Sequence, residues 1–318
     1  MKSPLVSILI PLYNAEDFII ETLECCVNQT YKNIEVIVVD DESKDNSYAI
    51  AMEYSKSHPQ VKIYKQVNSG ACRARNFAFE KSVGDYVIYL DADDLISTQF
   101  VEQHISVLRK TDGNCMSFCS WGKFANSTDK CNFFDIGIYR DYPHGFDLLL
   151  DMWDRGVMLQ TSCYMTPRKL VIQSGGWDES VIKNQDGDFF SRVLVLSKDV
   201  KYVPDVKVYY RTGNYASVSR NMSEAAASSI LYTLCSYRNT IFTYENSKRT
   251  RSILSMKYTN FIYIYGNLYP HLYNLAKQEI KSLNTGYVLK HVPHRVKQIS
   301  QIIGFDNFMT LRKLLFKK

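Results

Sequence analysis

Val6-Ser7-Ile8-Leu9-Ile10 and, farther along, Ile34-Glu35-Val36-Ile37-Val38-Val39 are near-continuous apolar runs rich in β-branched side chains. Runs of this kind mark parallel strands covered on both faces, because a strand with one wet face alternates instead. Between them Phe18, Ile19, Leu23, Cys26 and Val27 recur at helical spacing. Asn14 stands before that helix as a cap, with Glu16 and Asp17 in its positive first turn. The result is a strand-helix-strand unit. Outward from it, the pattern predicts a helix over 45–57, a strand over 61–65, a helix over 71–81 and a strand over 86–90, an open α/β sheet.

Ligands of such sheets sit outside the carboxyl ends of the strands. Here those ends read Pro11-Leu12-Tyr13-Asn14, Asp40-Asp41 and Asp91-Ala92-Asp93-Asp94, so the acids lie where a ligand would bind. After the turn-rich stretch 126–143, a strand is expected over Met158–Met165, then the glycine turn Gly175-Gly176-Trp177 and a helix starting near Asp186. From Ser223 onward the pattern is helical and rich in Tyr, without an internal repeat. The expected fold is an α/β, Rossmann-like mixed sheet flanked by helices, with a C-terminal helical extension. Three segments are expected: 1–110, whose strand ends carry the acids, 111–220, and a helical 221–318.

With 318 residues, 46% of them hydrophobic, the chain buries a large core and is not disordered. The apolar stretch Leu5–Leu12 is short and runs into Asn14, Glu16 and Asp17, so it reads as a buried strand and not as a signal peptide. No window approaches the roughly 20 apolar residues needed to span a bilayer. A cytoplasmic protein is expected. The eight cysteines show no paired spacing for zinc and read as reduced core residues. The net charge of +5 is uneven. Lys290–Lys318 holds seven Lys or Arg and one acid, Asp306, a sum of +6, which leaves −1 for residues 1–289.

Asp91, Asp93 and Asp94 crowd three carboxylates onto one strand end, where repulsion is costly unless a cation neutralises them. Hard oxygen ligands suit Mg2+ or Mn2+, which keep positions open for phosphate oxygens and stabilise a departing diphosphate. The competing structural role is capping of a helix over Leu95–Leu108 by Asp94. Asp41 offers a carboxylate for a base edge or ribose, or simply initiates a turn. Asn68-Ser69-Gly70 starts a helix and brings Arg73 and Arg75 to the ligand edge, where arginine pairs with phosphates. Asp186 is either an N-cap or a partly buried general base.

Taken together, VSILIPLYNAE (6–16), VVDDES (38–43), NSGACRARN (68–76), GDYVIYLDADDL (84–95) and GWDESVIKNQDGDFFSR (176–192) resemble glycosyltransferase family 2, over roughly residues 4–220. The resemblance implies a GT-A fold and single-displacement transfer with inversion. It assigns nucleotide-sugar binding to Pro11, Tyr13, Asn14, Glu16, Asp41, Gly70, Arg75, Asp91, Ala92 and Asp93, with uridine the usual nucleoside. Asp91 and Asp93 form the DxD pair, Asp93 being the direct metal ligand and Asp91 the one nearer the ribose. Asp186 matches the catalytic base, Trp177 and Asp178 match the loop that shapes the acceptor site, and Arg211 falls where a segment reaches the diphosphate. Two departures stand out. Gln185 replaces the acid that commonly precedes the base, and the QxxRW motif of processive members is absent, which argues for adding one sugar.

Val296, Ile299, Ile302, Ile303, Phe305, Phe308, Leu311, Leu314 and Leu315 interleave with Arg295, Lys297, Arg312, Lys313, Lys317 and Lys318. Such basic amphipathic helices either lie on an anionic inner membrane face, near a lipid-linked glycan acceptor, or pack as ordinary terminal helices. No nucleic-acid partner is expected. Rival functions are a nucleotidyltransferase, disfavoured because the first loop lacks a Gly-rich basic stretch, and an inactive nucleotide- or glycan-binding module, disfavoured by the intact Asp91, Asp93 and Asp186. A dinucleotide oxidoreductase fails because that loop lacks GxGxxG.

Overall fold

A computed structural model describes residues 3–111, 113–212 and 221–315. The strands, in chain order, are β1 (Val6–Leu12), β2 (Ile34–Asp40), β3 (Val61–Lys65), β4 (Tyr86–Tyr89), β5 (Leu95–Ile96), β6 (Cys115–Phe124), β7 (Asn132–Phe133), β8 (Tyr164–Pro167) and β9 (Asp199–Arg211). The helices are α1 (Ile19–Val27), α2 (Ser47–Ser55), α3 (Ala71–Lys81), α4 (Phe100–Leu108), α5 (Gly145–Arg155), α6 (Arg168–Gln173), α7 (Gln185–Leu196), α8 (Glu224–Tyr244), α9 (Lys248–Tyr265), α10 (Pro270–Ser282), α11 (His294–Ile303) and α12 (Phe305–Leu315). The chain forms two compact units, one of Met1–Leu149, Val157–Glu179 and Arg192–Tyr215, the other of Leu150–Gly156, Ser180–Ser191 and Ala216–Lys318.

The first unit holds one mixed sheet in the order β3-β2-β1-β4-β8-β6-β9-β5, with β7 beside β6. β3, β2, β1 and β4 run parallel, and β8 pairs antiparallel with both β4 and β6. β1 and β2 are buried along almost their whole length, as strands covered on both faces must be. None of the eight cysteines is in a disulfide, and Cys26, Cys72, Cys115, Cys119 and Cys163 are buried.

Several local expectations give way to different geometry. Asn14 does not cap α1. The helix starts at Ile19 behind Phe18 with no side-chain cap, while Asn14 takes a left-handed φ of 48° and its side chain accepts from the Lys44 N–H. Nor does Asp94 cap a helix. Leu95-Ile96 pairs with Tyr209 and Val208 as a strand, which delays α4 to Phe100, and the Asp94 carboxylate accepts the Arg211 N–H instead. The strand expected over 158–165 is confined to Tyr164–Pro167, and α2 begins at Ser47, two residues later than expected.

The second unit is helical. Ser247 and Thr250 form a reciprocal capping box at the start of α9. Asp306 ties α12 down by accepting from Tyr273, Tyr287 and Lys277. Val296, Phe305 and Met309 are buried, whereas Ile299, Ile302, Leu311, Leu314 and Leu315 are exposed, so the tail helices carry a second apolar face turned to solvent.

Candidate functional site

Four loops leave the carboxyl edge of the parallel strands, and side-chain bonds lace them together. The loop after β1 is tied to the loop after β2 at three points. Asn14 N–H donates to Ser43 Oγ at 3.1 Å, Ala15 N–H to Ser47 Oγ at 2.7 Å, and Glu16 N–H to Asp45 at 3.1 Å. In return, Glu16 accepts from the backbone and side chain of Asn46 at 2.9 and 2.8 Å. This holds Tyr13 out at the edge, 48% exposed, beside a half-buried Pro11.

Asp41 joins the second loop to the third. Its buried carboxylate accepts Gln66 Nε2 at 2.8 Å and the N–H groups of Ser69 and Gly70 at 2.8 and 2.9 Å. Gly70 is the residue that makes this turn possible. Its φ of 89° lies in the left-handed region, which a side chain would strain. From there α3 projects Arg75 inward, 7% exposed, to donate to Asp91 Oδ1 at 2.9 Å. Its guanidinium lies 4.5 Å over the Trp177 ring, a cation–π contact.

The loop after β4 carries the acidic run. Ala92 is buried, and its carbonyl and that of Asp94 both face the Thr22 hydroxyl at 3.0 and 3.1 Å. Burial, then the neighbouring Asp91, push the Asp93 carboxyl up to about 6, against the pull of Arg211. Burial and both neighbouring carboxylates also push the Asp94 carboxyl well above the usual carboxylate range, and its Oδ2 has no hydrogen-bond partner among the described residues. Arg211 closes the loop from β9. Its Nε donates to the Asp93 carbonyl at 2.8 Å, its Nη2 pairs with Glu21, and the guanidinium sits between Phe18 and Phe124.

Asp91 and Asp93 suit a hard divalent cation by the chemistry of their oxygens and by the crowding of their charges, which adds to burial in raising Asp93. Among the described residues no group of three or more His, Cys, Asp or Glu side chains forms a metal cluster. A cation here would therefore complete its shell with phosphate oxygens and water.

Trp177 is 3% exposed, packed edge-on against Tyr89 at 5.1 Å, and its backbone N–H and C=O are both bonded to Asn76, each at 2.9 Å. Asp178 is half-buried. In the second unit, Asp186 lies in the first turn of α7 as its second residue, half-buried, where the helix dipole favours a carboxylate. Sequence reasoning missed Asn76, Glu21 and Thr22. Only Asn76 carried a signal, as part of the NSGACRARN stretch.

An open mixed sheet with an acidic loop at the carboxyl end of β4 defines a GT-A fold. Residues 7–168 match Glycosyl transferase family 2. Putative glycosyltransferase EpsH of Bacillus subtilis is 31% identical over 255 residues, 78% of this chain and 72% of that protein. The chain thus belongs to glycosyltransferase family 2. A glycosyltransferase of Haemophilus influenzae is 38% identical over 125 residues, 37% of this chain, and the match spans half of that protein's length. The fold is similar to S. aureus TarS 1–349, with a TM-score of 0.71 at 16% identity over 96% of this chain and 89% of that one. The mannosyltransferase PcManGT of Pyrobaculum calidifontis, solved with GDP-Man and Mn2+, aligns with a TM-score of 0.58 at 16% identity over 100% of this chain and 89% of that one.

Proposed function

We propose that the protein transfers a single sugar, with inversion, from a UDP-linked donor to a hydroxyl of a glycan or lipid-linked acceptor. The observation that carries this reading is the lacing of the loops at one sheet edge, which gathers Tyr13, Asp41, Arg75 and Asp91 around one face. A uridine donor accords with TarS, which is solved in complex with UDP-GlcNAc and with UDP.

In this reading Pro11, Tyr13, Asn14, Glu16, Asp41, Gly70 and Arg75 hold the nucleoside, the exposed Tyr13 ring being free to stack on the base. Asp91 faces the ribose and Asp93, with Asp91, holds Mn2+ or Mg2+. The metal would neutralise charge on the departing diphosphate. Arg211 holds the acidic loop in place and meets a diphosphate only by exchanging Glu21. Asp178 meets the acceptor, and the buried Trp177 shapes its loop from beneath. Asp186 takes the proton of the attacking hydroxyl. The apolar face of α11 and α12, flanked by Arg295, Lys297, Arg312 and Lys313, rests on an anionic membrane surface.

A panel of nucleotide sugars, assayed for release of the nucleoside diphosphate, tests this. The expected result is turnover of one uridine donor that stops on chelation, returns with Mn2+ or Mg2+, and is lost in Asp93→Ala. Turnover surviving both treatments would sink the metal-assisted reading. Asp186→Asn should still bind donor but lose transfer.

A further inference from the structure

The buried face of α8 carries a polar stripe. Ser229, Thr233 and Tyr237 follow one another at intervals of four, so they share one side of the helix. They are 8%, 0% and 3% exposed. Polar groups are costly to bury unless they are bonded, and all three hydroxyls accept hydrogen bonds from the segment immediately before Asp186, while Thr233 donates its own to the Ile230 carbonyl at 2.8 Å. Ser229 Oγ receives the N–H groups of Ile182 and Lys183, each at 3.1 Å. Asn184 Nδ2 donates to Thr233 Oγ1 and to the Tyr237 hydroxyl, each at 2.7 Å. Asn184 itself adopts a left-handed φ of 68° and its carbonyl accepts the Asp188 N–H at 3.1 Å, opening the first turn of α7.

Gly187 shows how closely this turn is pressed on the stripe. A Cβ there would lie 2.2 Å from the Tyr237 hydroxyl and 2.4 Å from Asn184 Oδ1, so only glycine fits. Tyr237 is in turn backed by the Trp153 ring at 4.5 Å and by the Lys257 ammonium 5.4 Å from its own ring. Burial, together with the nearby Asp186 and Asp188 carboxylates, keeps the Tyr237 hydroxyl protonated.

We propose that Ser229, Thr233 and Tyr237 are positioning residues that fix the Asp186 carboxylate in its reactive place through the 182–187 segment. Asp186 and α8 both lie outside the matched family stretch, residues 7–168, and on this account the reaction depends on both. The inference rests on the reading of Asp186 as the general base.

The test is a double-mutant cycle on the full chain. Tyr237→Phe and Thr233→Val each remove a hydroxyl while keeping shape. Each is expected to lower kcat by about 10- to 100-fold, the scale of a small misplacement of a reacting group, with donor KM unchanged. Thr233→Ser, which keeps the hydroxyl, should restore the rate. In an Asp186→Asn background neither variant should cost anything more, because residues acting through one group are not additive. Unchanged kcat in the single variants, or losses that multiply in the Asp186→Asn background, would overturn the positioning role alone. Full transfer by Asp186→Asn would overturn the base assignment and the positioning role together.

Discussion

Arg75 and Asp91 form a 2.9 Å ion pair that ties α3 to the end of β4, with the Trp177 ring beneath the guanidinium. The pair supplies a positive charge beside the crowded acids. Removing it leaves Asp91 uncompensated next to Asp93 and Asp94. Arg75→Ala is expected to raise donor KM by roughly 10- to 100-fold, the worth of a charge-assisted bond. Arg75→Lys keeps the charge but not the planar stack, so its KM should fall between the two. Equal KM for all three proteins would separate Arg75 from donor binding.

Asp41 accepts three hydrogen bonds, two of them from the backbone of Ser69 and Gly70. In Asp41→Asn one of the two acceptor oxygens becomes an NH2 that faces a donor. The buried mismatch should cost about 1–3 kcal/mol. Thermal unfolding is expected at a lower temperature, and donor KM should rise because the turn at Gly70 loosens. A wild-type melting curve would show that another contact sets this loop.

The parallel half of the sheet was legible because β1 and β2 are apolar without interruption, a pattern with few other uses. β5 was not, because two residues, Leu95-Ile96, form a strand only when β9 supplies the partner. β6 was hidden for another reason. Ser117, Ser120 and Lys123 break its apolar run, and its length is set by pairing with β9 across a register shift. The acids and Arg75 were readable as chemistry at one edge, but the lacing of the loops was not, since its bonds join residues 16 to 30 positions apart in the chain. Asn14 looked like a cap because Asn caps helices well. The residue also tolerates the left-handed region, and here that property decides its role.

The tail offers a prediction at the membrane. Ile302, Leu314 and Leu315 are 85%, 62% and 78% exposed, beside the basic residues of α11 and α12. Apolar burial and attraction to anionic lipid should act together. Flotation with vesicles containing anionic lipid is expected to recover the protein at low salt. Recovery should fall as ionic strength rises and be lost in Ile302→Ser with Leu314→Ser. Equal recovery with neutral and anionic vesicles would remove the electrostatic part, and none with either would return the face to solvent or to a protein partner.

His104 provides a test of the core by pH. It is fully buried in α4, its Nδ1 lies 2.7 Å from Ser117 Oγ, and its Nε2 has no hydrogen-bond partner among the described residues. Burial lowers its pKa to about 3, whereas the unfolded chain binds that proton near 6.5. The sign follows from which state takes the proton. Between about 6.5 and 3 the unfolded chain accepts a proton that the folded chain refuses, so stability is whole above this window and declines as pH falls through it. The slope from this one group approaches about 1.4 kcal/mol per pH unit. His104→Asn keeps a polar partner for Ser117 but cannot take up the proton. Urea midpoints measured at pH 7, 6 and 5 should therefore drop more steeply for the native protein than for His104→Asn, and parallel lines would show that His104 is not the group that makes the fold acid-sensitive.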